Sequence, residues 1–131
     1  MTTMTNTELA ETMVAGMLEG NIEKLLGCMH PDVVVIEPSA LPYGGEHHGH
    51  AGFGALLQQM SSRLELDVGA ISVYDAPSGF AARMDATFKS RATGREVKTT
   101  VVEVDEVVDG LITRIDAYYK APELVAALYA E

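Results

Sequence analysis

Positive charge, cysteine and long apolar runs are all scarce in this chain. Nine Lys and Arg residues face nineteen Asp and Glu, for a net charge of −10. Nucleic acid and anionic membrane surfaces both need clustered positive charge, so neither is expected as a partner. Cys28 is the single cysteine, which excludes an internal disulfide. Its setting, LLGCMH, reads as a small buried apolar residue rather than a nucleophile. No apolar run is long enough to span a bilayer. The opening MTTMTNTELAET has no basic stretch followed by an apolar core, so we expect no secretory leader and a reducing, cytoplasmic setting. Gly44-Gly45, Gly49, Gly52 and Gly54 lack the strand–helix spacing of a dinucleotide loop. There is no internal repeat, linker or low-complexity tract.

What remains is a chain of 131 residues, 47% hydrophobic, that suits one domain over residues 1–131. Leu9, Met13 and Met17 recur at helical spacing behind Thr5 or Thr7 as a cap, and Gly20 suits the end of that helix. Asn21 can cap a shorter helix burying Ile22, Leu25 and Leu26, which ends at His30-Pro31. Asp32 to Glu37 reads as a strand, and Phe53, Leu56, Leu57 and Met60 mark a third helix. The period then changes to two. LELDVGAISVY, FAARMDATFKS, EVKTTVVEVDEVV and LITRIDAYYK read as successive antiparallel strands, with turns at APSG, ATGRE and Asp109-Gly110. On FAARMDATFKS, Phe80, Ala82, Met84, Ala86 and Phe88 point one way, and Arg83, Asp85, Thr87 and Lys89 the other. Pro122 can open a short last helix. The order is α+β: a strongly curved, mostly antiparallel sheet with helices on its concave side and a cone-shaped cavity between.

The richest stretch is VVVIEPSALPYGGEHHGH, Val33 to His50. An apolar β-branched run ends on one carboxylate, Glu37, and Pro38 stops the strand. A rigid loop with three histidines follows. Titratable groups at the mouth of an apolar strand suggest a ligand site. A partly desolvated Glu37 would be a better general base near neutrality. His47 and His48 point apart in an extended chain, so no metal site is expected. A loop histidine, His48, can instead serve as an acid or base over the pocket mouth. Solvated loop residues, with His50 near a helix start, are the plainer alternative.

This order of elements, with ALPYGGEHHGHAGFGAL and DGLITRIDAYY, resembles the SnoaL-like branch of the nuclear transport factor 2-like superfamily. The resemblance covers nearly the whole chain. It implies a cone-shaped α+β barrel of cystatin-like type with a deep pocket, and a homodimer packed through its sheets. Glu37 falls where ketosteroid isomerase, a member of the superfamily, keeps its proton-shuttling carboxylate. Glu103 falls near the position of that enzyme's protonated oxyanion donor. The isomerase's tyrosine donor is Met13 here, which donates nothing. Enolate stabilisation would then rest on Glu103 alone or on another donor, such as Tyr119 or a histidine. Arg83-Met84-Asp85 looks like the Arg-x-Asp of limonene epoxide hydrolase, but the second aspartate of that enzyme falls on Ala117, and Asp116 points to the other face.

The expected catalytic set is therefore Glu37, Glu103 and His48. The expected pocket wall is Met13, Met17, Val35, Tyr43, Phe53, Leu57, Met84, Ala86, Phe88, Thr99, Val101, Ile115, Ala117 and Tyr119. The expected function is a cofactor-independent isomerase, cyclase or hydratase acting on a small hydrophobic molecule. A non-catalytic ligand-binding or dimerisation module is the alternative, and a hydrolase built on Arg83 and Asp85 a lesser one.

Overall fold

The computed structural model describes residues 4–130; residues 1–3, part of the segment read for a leader, and residue 131 lie outside the described residues. Helix α1 (Asn6–Glu19) starts on a reciprocal cap: the Glu8 N–H donates to Thr5 Oγ1 at 3.1 Å, and the Thr5 N–H donates to Glu8 at 2.9 Å. It stops at Gly20, whose left-handed φ of 66° disfavours any other residue. Asn21 caps α2 (Ile22–Leu26) by accepting from the Lys24 N–H.

Strand β1 (Met29–Glu37) begins earlier than the sequence suggests, before Pro31 rather than after it. Its register against β6 shifts between Met29 and Val34. The proline's missing donor falls within that irregular stretch, where it interrupts no regular ladder. A second correction concerns the histidine segment, expected as a loop. Gly45–His48 forms a short edge strand, β2, paired antiparallel with β1. Four residues without alternation carry no readable strand signal. Between the two strands the chain turns so tightly that a side chain at Gly44 would strike the backbone oxygen of Pro38.

Helix α3 (Gly49–Arg63) buries Phe53, Leu56 and Met60. Strands β3 (Leu64–Ala76), β4 (Gly79–Ser90), β5 (Glu96–Val108) and β6 (Leu111–Tyr119) follow. Asp109 and Gly110, both at positive φ, make the last hairpin turn. Pro122 opens α4 (Pro122–Ala127), and a 3-10 turn, Leu128–Ala130, ends the described chain. Among the described residues, six strands form one curved sheet in the order β2-β1-β6-β5-β4-β3, with β1 and β6 parallel and the other pairs antiparallel. The sheet is open, with β2 and β3 at its edges, so the barrel implied by the resemblance is not closed.

The inner face carries the core. On β4, Phe80, Ala82, Met84, Ala86 and Phe88 are buried, while Arg83 and Asp85 are exposed on the outer face. Leu9 and Met13 of α1 and Phe53, Leu56 and Met60 of α3 join the core that this face helps to form. Replacing Thr5 with Ala removes one half of the α1 cap. We expect a loss of about 1 kcal/mol in urea unfolding, with the cavity described below unchanged.

Candidate functional site

Strand parity places one residue type after another on the concave side. On β1 the buried positions are Met29, Val33, Val35 and Glu37. Val35 pairs with Ile115 and Ile36 with Asp116, so Glu37 stands next to Ala117 of β6. Ala117 in turn pairs with Glu103 of β5, and Glu103 with Ala82 of β4. Glu37 and Glu103 therefore flank a single methyl group. Their backbones are about 10 Å apart, two strand spacings, and the small side chain between them leaves both carboxyl groups free to turn into the space above.

That space is a cavity of about 80 Å³, open at a mouth and lined by β1, β3, β4, β5, β6, α1 and α3. Met13, Met17, Val35, Phe53, Leu57, Met84, Ala86, Phe88, Val101 and Ile115 form much of its wall, with Val14, Leu56, Met60, Leu66 and Val68. Glu37, Glu103 and Tyr119 are the polar side chains on it, and none of the lining side chains is basic. Phe88 stacks on Tyr119 with ring centroids 5.5 Å apart. The cavity shares Met17, Leu57, Met60, Leu66 and Phe88 with a wider outer groove between α1 and α3. There Arg91 pairs with Glu65 at 3.1 Å.

The carboxyl groups sit in an unusual electrostatic setting. Glu37 is 7% exposed, and its Oε2 has no hydrogen-bond partner. Loss of hydration pushes its pKa up to about 8; the negative charge of Glu103 adds to this, and the Tyr119 hydroxyl partly offsets it. Glu103 retains some open surface, but that surface faces the cavity, and burial pushes its pKa up to about 7. Each carboxyl group disfavours ionisation of the other, so the pair releases its protons in two steps. Asp105, two residues further along the same face of β5, is 4% exposed with Oδ1 unpartnered. Burial and the Glu103 charge raise its pKa well above the usual carboxylate range.

A tyrosine relay backs Glu37. The Tyr43 and Tyr119 hydroxyl oxygens lie 2.9 Å apart. Each hydroxyl has one proton to donate. When Glu37 is ionised, Tyr43 can donate to Tyr119 and Tyr119 to Glu37. Burial raises the pKa of both phenols, so both keep their protons.

Several residues named from the sequence stand elsewhere. Tyr43 is fully buried behind the wall rather than on it, and acts through its hydroxyl on Tyr119. Ala117 is buried in the sheet between the two glutamate positions and is not on the cavity wall. Thr99 lies beyond the end of β6, which stops at Tyr119 opposite Val101, and so is outside the cavity. His48 is exposed on the edge strand beside Glu46, far from a covering position. Nε2 of His47 and of His50 donates to the carbonyls of Tyr43 and Met29, so neither points into the cavity. Arg83 and Asp85 face outward, which removes the hydrolase arrangement. Asp105 escaped the sequence reading because it lies in the acidic run EVDE, which looks like a solvated face; only its parity with Val101 marks it as inward.

A curved, open mixed sheet over helices, with an apolar cavity that two carboxyl groups line, defines a pocket protein of NTF2-like fold. The chain belongs to the SnoaL-like domain family, whose model matches residues 10–115. An NTF2-like protein from Burkholderia xenovorans LB400 is 27% identical, with 97% of this chain and 96% of that chain covered at a TM-score of 0.78. A proposed polyketide cyclase from Pseudomonas putida KT2440 is 22% identical over 93% of this chain and 96% of that one, TM-score 0.82. TerC, co-crystallized with polyporic acid, is 21% identical over 95% of this chain and 98% of that one, TM-score 0.84. No curated protein matches the chain in sequence.

The raised carboxyl pKa values carry a stability signature. Between about pH 4.5 and 8 the folded state holds a proton on Glu37 that the unfolded chain has released. Stability therefore falls as pH rises through this window, on the order of a few kcal/mol. Urea unfolding at pH 5 and pH 8 should show the loss, and Glu37→Gln should flatten the slope.

Proposed function

We propose that this protein binds a small hydrophobic molecule in the cavity and moves a proton within it, as an isomerase or cyclase of the polyketide-cyclase sort. The observation that carries the reading is Glu37: a buried, unpartnered carboxyl group at the wall of an apolar cavity. With a pKa near neutrality it can take a proton from an acidified C–H and return it elsewhere on the same molecule. Glu103, protonated below about pH 7, serves as acid or hydrogen-bond donor to the developing oxyanion. Tyr119, steadied by Tyr43, holds Glu37 in place. The likeness to a proposed polyketide cyclase of the same fold supports the substrate class.

A binding-only module is the second reading, and Met13 favours it. Met13 faces the cavity from α1 and offers no proton, so the site has fewer donors than a steroid isomerase. We assign the protein to the cytoplasm, where its buried free thiol, Cys28, would stay reduced. We also assign it a homodimeric state through the outer face of the sheet. Tyr74, Val104 and Tyr118 stand exposed there, with Tyr74 and Val104 both opposite Ala81.

Exchange of α-protons of hydrophobic ketones in D2O, followed by NMR, tests the chemistry. We expect exchange to fall about a hundredfold or more in Glu37→Gln. Exchange that is equal in both proteins, with probe binding retained, favours the binding module. Ala117→Leu should fill the gap between Glu37 and Glu103 and abolish probe binding while the helical circular dichroism stays unchanged. Light scattering at micromolar concentration should show a dimer, and Val104→Lys should shift it toward monomer.

A further inference from the structure

The cavity holds carboxyl groups whose charge, once they ionise, its own residues do not balance. Glu37 and Glu103 share it, Asp105 lies further along the same face of β5, and among the described residues no lining side chain is cationic. The groups around them are equally unhelpful. Tyr119 of β6 and Tyr43 of the turn before β2 are neutral donors. His47 of β2 and His50 of α3 spend Nε2 on backbone carbonyls. α1 contributes Met13, Val14 and Met17 to the wall. Arg91, in the outer groove, is paired with Glu65. Glu37 adds an independent sign of a missing partner: its side chain is more than nine-tenths buried, lines the cavity, and leaves Oε2 without a hydrogen bond.

We propose that the cavity takes a small hydrophobic molecule with a cationic nitrogen, the ammonium seated between Glu37 and Glu103 and the apolar body against Phe53, Met84 and Phe88. This rests on the reading of the cavity as the ligand site and names the chemical class of its ligand. The ammonium supplies the hydrogen bonds and the charge that the two carboxyl groups lack, in a medium where such contacts are strong. The stacked faces of Phe88 and Tyr119 add a cation–π surface. A carboxylate-bearing molecule is rejected by the same field.

The consequence reaches the base itself. Burial favours the protonated form of Glu37. A bound cation favours the ionised forms of both glutamates, so protons leave to bulk water as the ligand enters. Glu37 is then more fully ionised, beside C–H bonds that the cationic nitrogen acidifies.

The test compares 1-naphthylmethylamine with 1-naphthylmethanol by calorimetric titration at pH 6, 7 and 8, in two buffers of different ionisation heat. We expect the amine to bind at least about tenfold more tightly than the alcohol at pH 8. Its affinity should rise roughly tenfold or more from pH 6 to 8, with buffer-dependent heats that report proton release. The alcohol, which accepts from protonated carboxyl groups, should bind less well as pH rises. Glu37→Gln and Glu103→Gln, which keep the shape and remove charge, should each erase the preference for the amine. Carbon-13 titration of the glutamate carboxyls should show both pKa values falling on amine binding. Equal affinity for the two probes, or a flat pH dependence for the amine, overturns the proposal. Binding of the alcohol alone does so while leaving the proposed function standing; binding of neither probe overturns both.

Discussion

The parallel pairing of β1 with β6 is the constraint on which the cavity depends. It sets Val35 beside Ile115 and Ile36 beside Asp116, and so puts Glu37 next to Ala117. A slip of one residue would turn Glu37 to the outside and bring Ile36 in, because side chains alternate with a period of two. The antiparallel pairing of β5 with β6 then places Glu103 on the other side of the same alanine. Two carboxyl groups thus meet over one methyl group, inside a wall that is otherwise almost wholly apolar.

Such an arrangement opposes folding in its charged form. A buried acceptor without a partner costs roughly 1–3 kcal/mol, and an unpaired buried charge more. The structure meets this through burial that favours the protonated forms of Glu37, Glu103 and Asp105, and by offering Glu37 a tyrosine donor that is itself fixed by Tyr43. The hydrophobic core around it runs from Leu9 to Leu128, and two of the raised carboxyl groups, Glu37 and Glu103, face the cavity.

Much of the fold was legible because its signals are local. The cap at Thr5, the stop at Gly20, the Asp109-Gly110 turn and the alternation on β4 each follow from a few neighbouring residues. The early start of β1 was not legible, because Pro31 reads as a stop and only the irregular register with β6 accommodates it. The edge strand β2 was not, because its pairing comes from β1 rather than from its own composition. Asp105 shows the same limit in the site: in EVDE it looks solvated, and only the sheet's curvature over the helices buries it.

The sequence by itself determined the class of elements, their order, the inward face of β4 and the lone carboxylate at the end of an apolar strand. These depend on backbone propensity and periodicity, which act over a few residues. The tertiary structure alone decided that Glu37, Glu103 and Tyr119 share one cavity, that Tyr43 backs them from behind, and that His48 and Thr99 do not take part. Those outcomes depend on register between strands far apart in the chain and on how far the sheet bends. Neither quantity is written in any single segment, because each is set by the packing of all the others.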